Sequence, residues 1–258
     1  MSIEVSNLSF GYGNRPVLNG INFSAKENQL LSILGPNGVG KSTLFRCILG
    51  LQKGYRGRVL INGKDIKEIS IKEIAKSLAY IPQSHYPSFN YSVFDMVLMG
   101  TTIQVSAFSR PGNKQIKLVE AALERLGISH LKSRGYIQIS GGERQLVLMA
   151  RSLVQETKIL ILDEPTANLD FGNQVRVLTQ MKSLAKEGYT IIQSTHNPDQ
   201  TFLFSDNVLA MKDGKILSCG VPGDVFTADL IKNLYATEVN INSLYEDRVR
   251  VCIPKCAI

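Results

Sequence analysis

The stretch Gln29-Leu30-Leu31-Ser32-Ile33-Leu34-Gly35-Pro36-Asn37-Gly38-Val39-Gly40-Lys41-Ser42-Thr43-Leu44-Phe45 decides the fold. Residues 29–34 are a short, nearly continuous apolar run ending in glycine, as expected of a strand covered on both faces. Behind the loop, Leu44, Phe45, Ile48 and Leu49 fall on one helical face, and Gly50 can end the helix. Between strand and helix, Gly35-x-x-x-x-Gly40-Lys41-Ser42 fits the P-loop pattern in the context that confirms it. Glycines are required because backbone N–H groups wrap phosphates at close range, where a Cβ would clash. Lys41 then reaches the terminal phosphates and Ser42 can ligate Mg²⁺.

Further along, Ile159-Leu160-Ile161-Leu162-Asp163-Glu164 reads as a buried strand with two carboxylates at its C-terminal end, where open α/β sheets place their ligands. Asp163 suits Mg²⁺ and Glu164 suits polarisation of an attacking water. Two acids after an apolar run also fit a solvated loop. Ser140-Gly141-Gly142-Glu143 precedes a helix and reads as a capping box, with Glu143 returning to the Ser140 N–H. The same residues make a second anion site at a helix N-terminus, and both readings hold together.

The first residues alternate as strands: Ile3, Val5, Leu8 and Phe10, then 17–23 after the turn Gly11-Tyr12-Gly13-Asn14. Residues 58–61 before Asn62-Gly63 read as a hairpin strand. From about residue 92 to 126 the pattern is mostly helical, with Val119, Ala122, Leu123 and Leu126 at i, i+3, i+4 and i+7. Strand and helix alternate afterwards, which argues for a parallel sheet with helices on its faces. A hairpin turning at Asp213-Gly214 closes the pattern before short C-terminal helices.

The chain has 258 residues, 44% of them hydrophobic and 20% charged, with 21 Gly and 9 Pro, which is ordinary globular composition and excludes collagen-like, coiled-coil and disordered classes. Lys plus Arg exceed Asp plus Glu by 29 to 22, and the resulting +7 leaves nucleotides, nucleic acid and an anionic membrane surface all open as partners. No run approaches the roughly 18 apolar residues of a membrane-spanning helix. The first residues have neither a basic leader nor an apolar signal core, so a cytosolic chain is expected. Cys47, Cys219, Cys252 and Cys256 are too scattered for a disulfide framework. Cys252 and Cys256, four apart, read as two ordinary thiols on a tail, with metal binding or oxidant response as the alternative. Ser152, Cys47, Lys64, Lys67 and Lys72 read as structural or solvated.

Over essentially its whole length the chain resembles the nucleotide-binding subunits of ABC transporters, with six motifs in the family's order. Gly35 to Ser42 matches Walker A, residues 159–164 match Walker B with its catalytic glutamate, and Ile139-Ser140-Gly141-Gly142-Glu143 matches the signature. Gln83 stands at the Q-loop position, Asn168-Leu169-Asp170 at the D-loop, and His196 at the switch histidine. Tyr12 lies where the family stacks an aromatic on adenine. Singly, Gln83 also reads as a loop amide, His196 as a capped or core histidine and Tyr12 as an exposed turn residue. Ile139 replaces the usual Leu at an apolar packing position. Residues 91–100 and 162–174 are similar to ATPases of importers for iron chelates, haem and cobalamin and to relatives that carry molybdate.

The resemblance implies an α/β fold: a P-loop NTPase core (1–83 and 151–240) with an N-terminal antiparallel β subdomain, a helical subdomain (84–150) and a C-terminal tail (241–258). It implies ATP and Mg²⁺, with Glu164, His196, Lys41 and Gln83 as catalytic residues and Ser42, Gln83 and Asp163 around the metal. Nucleotide would contact Tyr12, Gly35, Asn37, Gly38, Gly40, Lys41, Ser42 and Thr43 of one chain. Asp170 is also expected at the nucleotide, and Ser140, Gly141 and Gly142 would come from a second copy in a head-to-tail homodimer. Two integral-membrane permease subunits and, indirectly, an extracytoplasmic substrate-binding protein are the expected partners, at the cytoplasmic face of the inner membrane and without nucleic acid. The alternative is an ABC ATPase acting on nucleic acid or ribosomes, against which stand a single Walker A and no heptad run. A simple P-loop kinase or GTPase leaves residues 140–143 unexplained. Between Gln83 and Ser140, the cluster His85, Tyr86, Pro87, Phe89, Tyr91, Val93, Phe94 and Met96 is expected to carry the permease-docking surface, with local core packing equally open for Val93, Phe94 and Met96.

Overall fold

A computed structural model describes residues 2–85, 87–104, 111–246 and 249–257. The chain opens with β1 (Ile3–Tyr12) and β2 (Arg15–Ala25), an antiparallel pair longer than the 17–23 core of the sequence pattern. Next, β3 (Gln29–Leu34) feeds the P-loop and α1 (Lys41–Ile48), and Gly50 follows that helix at φ +67°. The hairpin of β4 (Arg56–Ile61) and β5 (Lys64–Asp65) turns at Asn62 and Gly63, both at positive φ as a type I′ turn requires. These strands form a four-stranded antiparallel sheet in the order β2-β1-β4-β5.

Following α2 (Ile71–Ser77), β6 (Leu78–Ile81) joins the main sheet, a strand the sequence pattern did not reveal. The helical stretch comprises α3 (Val93–Leu98), a 3₁₀ turn at Met99–Ile103, α4 (Asn113–Arg125) and α5 (Gly141–Leu153). Val119, Ala122, Leu123 and Leu126 are all buried. The alternation then gives β7 (Ile159–Leu162), α6 (Phe171–Lys186), β8 (Thr190–Thr195), α7 (Pro198–Phe204), β9 (Asn207–Lys212) and β10 (Lys215–Gly220). Two short helices follow, α8 (Pro222–Val225) and α9 (Ala228–Tyr235).

The main sheet has the order β10-β9-β3-β8-β7-β6, with its inner strands parallel and β10 antiparallel at the edge. The two-residue period of its strands explains the layering. Leu31, Ile33, Ile159, Ile161 and Ile192 face one core shared with α1 and the antiparallel sheet. Leu30, Leu160, Leu162 and Ile191 face the other, shared with α3, α4, α5 and α6. The helical insertion is therefore packed onto the sheet by one continuous apolar cluster.

One expectation needs correction and one open reading is decided. Residues 241–258 are not a plain tail: β11 (Val239–Leu244) and β12 (Val249–Pro254) pair antiparallel, and Ile241 and Cys252 pack on a third core around Phe226, Ile231 and Leu234. The alternating Val249, Val251 and Ile253 carried the signal. For Val93 and Met96 the core-packing alternative holds: both are fully buried in the helical core, where Phe94 and Tyr91 pack partly.

Candidate active site

Four neighbouring strands deliver the site at their carboxyl ends. Ile81 pairs with Leu162, Leu162 with Gln193 and Thr195 with Leu34. That register sets Gln83, Asp163, Glu164, His196 and the loop after Leu34 side by side.

The P-loop is shaped by steric necessity at two glycines. A Cβ on Gly35 would lie 2.3 Å from the Met211 carbonyl oxygen. Gly40, at φ +109°, has Leu18 and Val17 atoms 3.0–3.2 Å from where its Cβ would stand, so only glycine gives both that conformation and that approach. The loop wraps the buried Lys41, whose Nζ donates to the carbonyls of Gly35 at 2.7 Å and Pro36 at 2.9 Å and lies 3.3 Å from Glu164 Oε1. Burial pushes the Lys41 pKa below its ordinary value, against the opposing pull of Glu164 and then Asp163.

Glu164 is the meeting point. Its backbone adopts φ +45°, and Gln83 Nε2 donates to Oε2 at 3.3 Å. His196 Nδ1 stands 3.4 Å from the same oxygen. Asp163 sits deeper: Ser194 Oγ donates to its Oδ1 at 2.6 Å, and the Tyr80 hydroxyl lies 3.4 Å from Oδ2. Burial, followed by Asp163's charge, raises the Tyr80 phenol to about 12, so Tyr80 stays protonated as a donor. Ser194, Tyr80 and Arg15 escaped the sequence reading. Ser194 and Tyr80 act through strand pairing, and Arg15 lies just past the turn that presents Tyr12.

A cavity of about 460 Å³ is lined by Tyr12, Arg15, Asn37, Gly38, Gly40, Lys41, Ser42, Thr43, Gln83 and Glu164. Tyr12 is half exposed and packs edge-on against Phe10, with ring centroids 4.9 Å apart. Gly35 and Asp163 do not line this cavity: Gly35 offers its carbonyl to Lys41, and Asp163 is buried. His196 borders an adjoining cleft of about 240 Å³ with Asn37, Gln83, Glu164 and Gln200. The donors and acceptors here suit a polyphosphate and a hard cation.

Ser140, Gly141, Gly142 and Asp170 do not line the P-loop cavity. Ser140 caps α5: its Oγ accepts the Glu143 N–H at 3.3 Å, and Glu143 Oε2 accepts the Ser140 N–H at 2.8 Å. Asp170 caps α6, accepting the Asn173 N–H at 3.0 Å. Ile139 is buried as an apolar packing residue. In the expected docking segment Phe89 is 69% exposed, and Tyr86 lies outside the described residues. Among the described residues, no group of three or more His, Cys, Asp or Glu could hold a metal ion, and no helix is long and apolar enough to cross a membrane.

The family described as "ABC transporter" matches residues 18–167. The chain is 40% identical over 239 residues to the probable iron chelatin transport ATP-binding protein of Helicobacter pylori (strain ATCC 700392 / 26695), covering 92% of this chain and 94% of that one. It is 32% identical over 253 residues to the iron(3+)-hydroxamate import ATP-binding protein of Bacillus subtilis (strain 168), covering 98% and 94%. A solved inward-facing transporter described as of metal-chelate type superimposes with a TM-score of 0.87 at 30% identity, covering 98% of this chain and 96% of that one. The chain belongs to the ABC transporter ATP-binding family, and it is an ATPase of that kind.

Proposed function

We propose that this ATPase powers an importer whose cargo is a metal chelate of the iron–siderophore, haem or cobalamin kind. The observation that carries its hydrolytic chemistry is the convergence of Lys41, Gln83 and His196 on the one carboxylate of Glu164, at 3.3, 3.3 and 3.4 Å. The cargo class is supported by the names of its relatives, two of them iron-chelate ATPases, and not by any residue of the site. That support favours the chelate over an oxyanion such as molybdate.

In this reading Tyr12 offers a ring face to the base, and the N–H groups of residues 37–43 hold the phosphates. Glu164 accepts the proton of the attacking water, Gln83 and His196 hold that carboxylate and the water in line, and Lys41 balances charge developing on the phosphoryl oxygens. The Ser42 hydroxyl, the Gln83 amide oxygen and, through water, the Asp163 carboxylate would offer the oxygen donors that Mg²⁺ prefers. Those three residues would hold the ion, which would supply Lewis-acid stabilisation of phosphoryl charge.

The separation of Ser140, Gly141 and Gly142 from the P-loop cavity fits a site completed by a second copy, head to tail. Residues 1–83 and 151–240 then act as the nucleotide core and 84–150 as the part that engages two permease subunits. The ATPase would work at the cytoplasmic face of the inner membrane, with an extracytoplasmic binding protein supplying cargo. Affinity purification of the chain from membranes tests this: a stoichiometric integral-membrane protein is the expected companion. Recovery with nucleic acid or ribosomes and no membrane protein would establish the non-transport alternative instead.

A further inference from the structure

His196 reaches Glu164 from the end of β8, and its ring is half exposed, with Nδ1 at 3.4 Å from Glu164 Oε2. A ring held on one side only takes its direction from the backbone that carries it. That backbone is fixed before and after His196 by local bonds. Thr195 is paired with Leu34 in the sheet, the Asn197 N–H donates to Thr195 Oγ1 at 3.1 Å, and Asn197 Oδ1 caps α7 by accepting the Gln200 N–H.

The peptide plane of His196 itself is tied to a distant part of the chain: the Tyr235 hydroxyl donates to the His196 carbonyl at 3.0 Å. Tyr235 is the last residue of α9, and the helix stops there because Ala236 takes a left-handed conformation at φ +54°. The third core holds α9 through Ile231 and Leu234, with the Tyr235 ring packed against it. The same C-terminal unit grips the helix that follows His196, because the Cys252 N–H on β12 donates to Asp199 Oδ1 in the first turn of α7 at 2.9 Å. Burial, and then the neighbouring Cys252 and Glu164, shift the Tyr235 phenol upward, so it remains a donor at neutral pH.

We propose that Tyr235 is a positioning residue for hydrolysis: its hydroxyl fixes the His196 peptide plane and thereby aims the imidazole at Glu164. The C-terminal unit of α9, β11 and β12 is then part of the catalytic scaffold. This rests on the reading of His196 given above. Removing the hydroxyl leaves the ring, its packing and the helix in place.

The test uses the full-length chain labelled with ¹³C at histidine Cε1, a tractable probe because there are three histidines. In Tyr235→Phe, the His196 signal is expected to move while those of His85 and His130 stay. ATP turnover should fall about 3- to 10-fold, the range of one hydrogen bond, with KM for ATP unchanged. In a His196→Ala background the same substitution should cost nothing further. An unmoved His196 signal overturns the proposal, as does a loss of turnover that multiplies with that of His196→Ala. Wild-type turnover in His196→Ala alone would instead defeat the role given to His196, and the NMR arm would still decide whether Tyr235 aims the ring.

Discussion

The Ser194 hydroxyl donates to Asp163 Oδ1 at 2.6 Å and accepts the Glu164 N–H at 2.9 Å, so one buried side chain on β8 sets both acids at the end of β7. Ser194→Ala leaves a buried carboxylate oxygen and a backbone N–H without this partner, which should lower unfolding stability by about 1–3 kcal/mol. Turnover should drop more, on the order of 10- to 100-fold, because both acids lose their placement. Urea titration and ATPase assay in parallel check this, and unchanged turnover in a destabilised protein would separate Ser194 from the chemistry.

Glu164→Gln preserves shape and removes the base. ATP affinity should persist while turnover falls about 10²- to 10⁴-fold, and ATP-bound dimer should accumulate in the assembled complex. Retention of half the wild-type rate would remove Glu164 from the role of base.

Ser140→Arg deletes the α5 cap and puts bulk and charge where the second phosphate contact is proposed. Stability should fall by about 0.5–2 kcal/mol from the lost cap, and nucleotide should still bind the isolated chain because Ser140 lies outside the P-loop cavity. Hydrolysis by the complex should be lost. A wild-type rate there is incompatible with a two-chain site.

Glu143 has its carboxyl held below the usual carboxylate range, first by the Ser140 N–H. A depressed folded-state pKa contributes stability that is complete above the unfolded value and is lost as pH falls through the folded one. Stability should therefore decline on the acid side of about pH 4.5, and Glu143→Gln should flatten that limb by losing this contribution at neutral pH while matching the parent at low pH. Urea midpoints measured from pH 3 to 7 would show it, and identical slopes for both proteins would count against the assignment.

Phe89 is 69% exposed, stacks edge-on against Tyr91 with centroids 6.0 Å apart, and sits beside Asn90, which accepts the N–H of the half-exposed Ile137 at 3.2 Å. Phe89→Asp should weaken assembly with the membrane partner by about 1–4 kcal/mol and uncouple ATPase from transport, with nucleotide binding intact. Normal co-purification together with full transport would remove this loop from the coupling surface.

The sequence by itself determined what is local. The P-loop, the acid-tipped strand, the capping box at Ser140 and the helical period at Val119 to Leu126 each lie within a dozen residues, where spacing and backbone chemistry specify the outcome. The alternation of strands and helices implied a parallel sheet for the same reason. Tertiary structure alone decided what depends on which strands are neighbours. Tyr80 and Ser194 reach Asp163 from 83 and 31 residues away, because β6 and β8 flank β7. Val93 and Met96 became core because α3 lays that face on α5, a partner no local pattern names. Val239–Leu244 and Val249–Pro254 pair where Ile241 and Cys252 pack on the core that holds α9, and tertiary packing carries Tyr235 to the carbonyl of His196, 39 residues away in sequence.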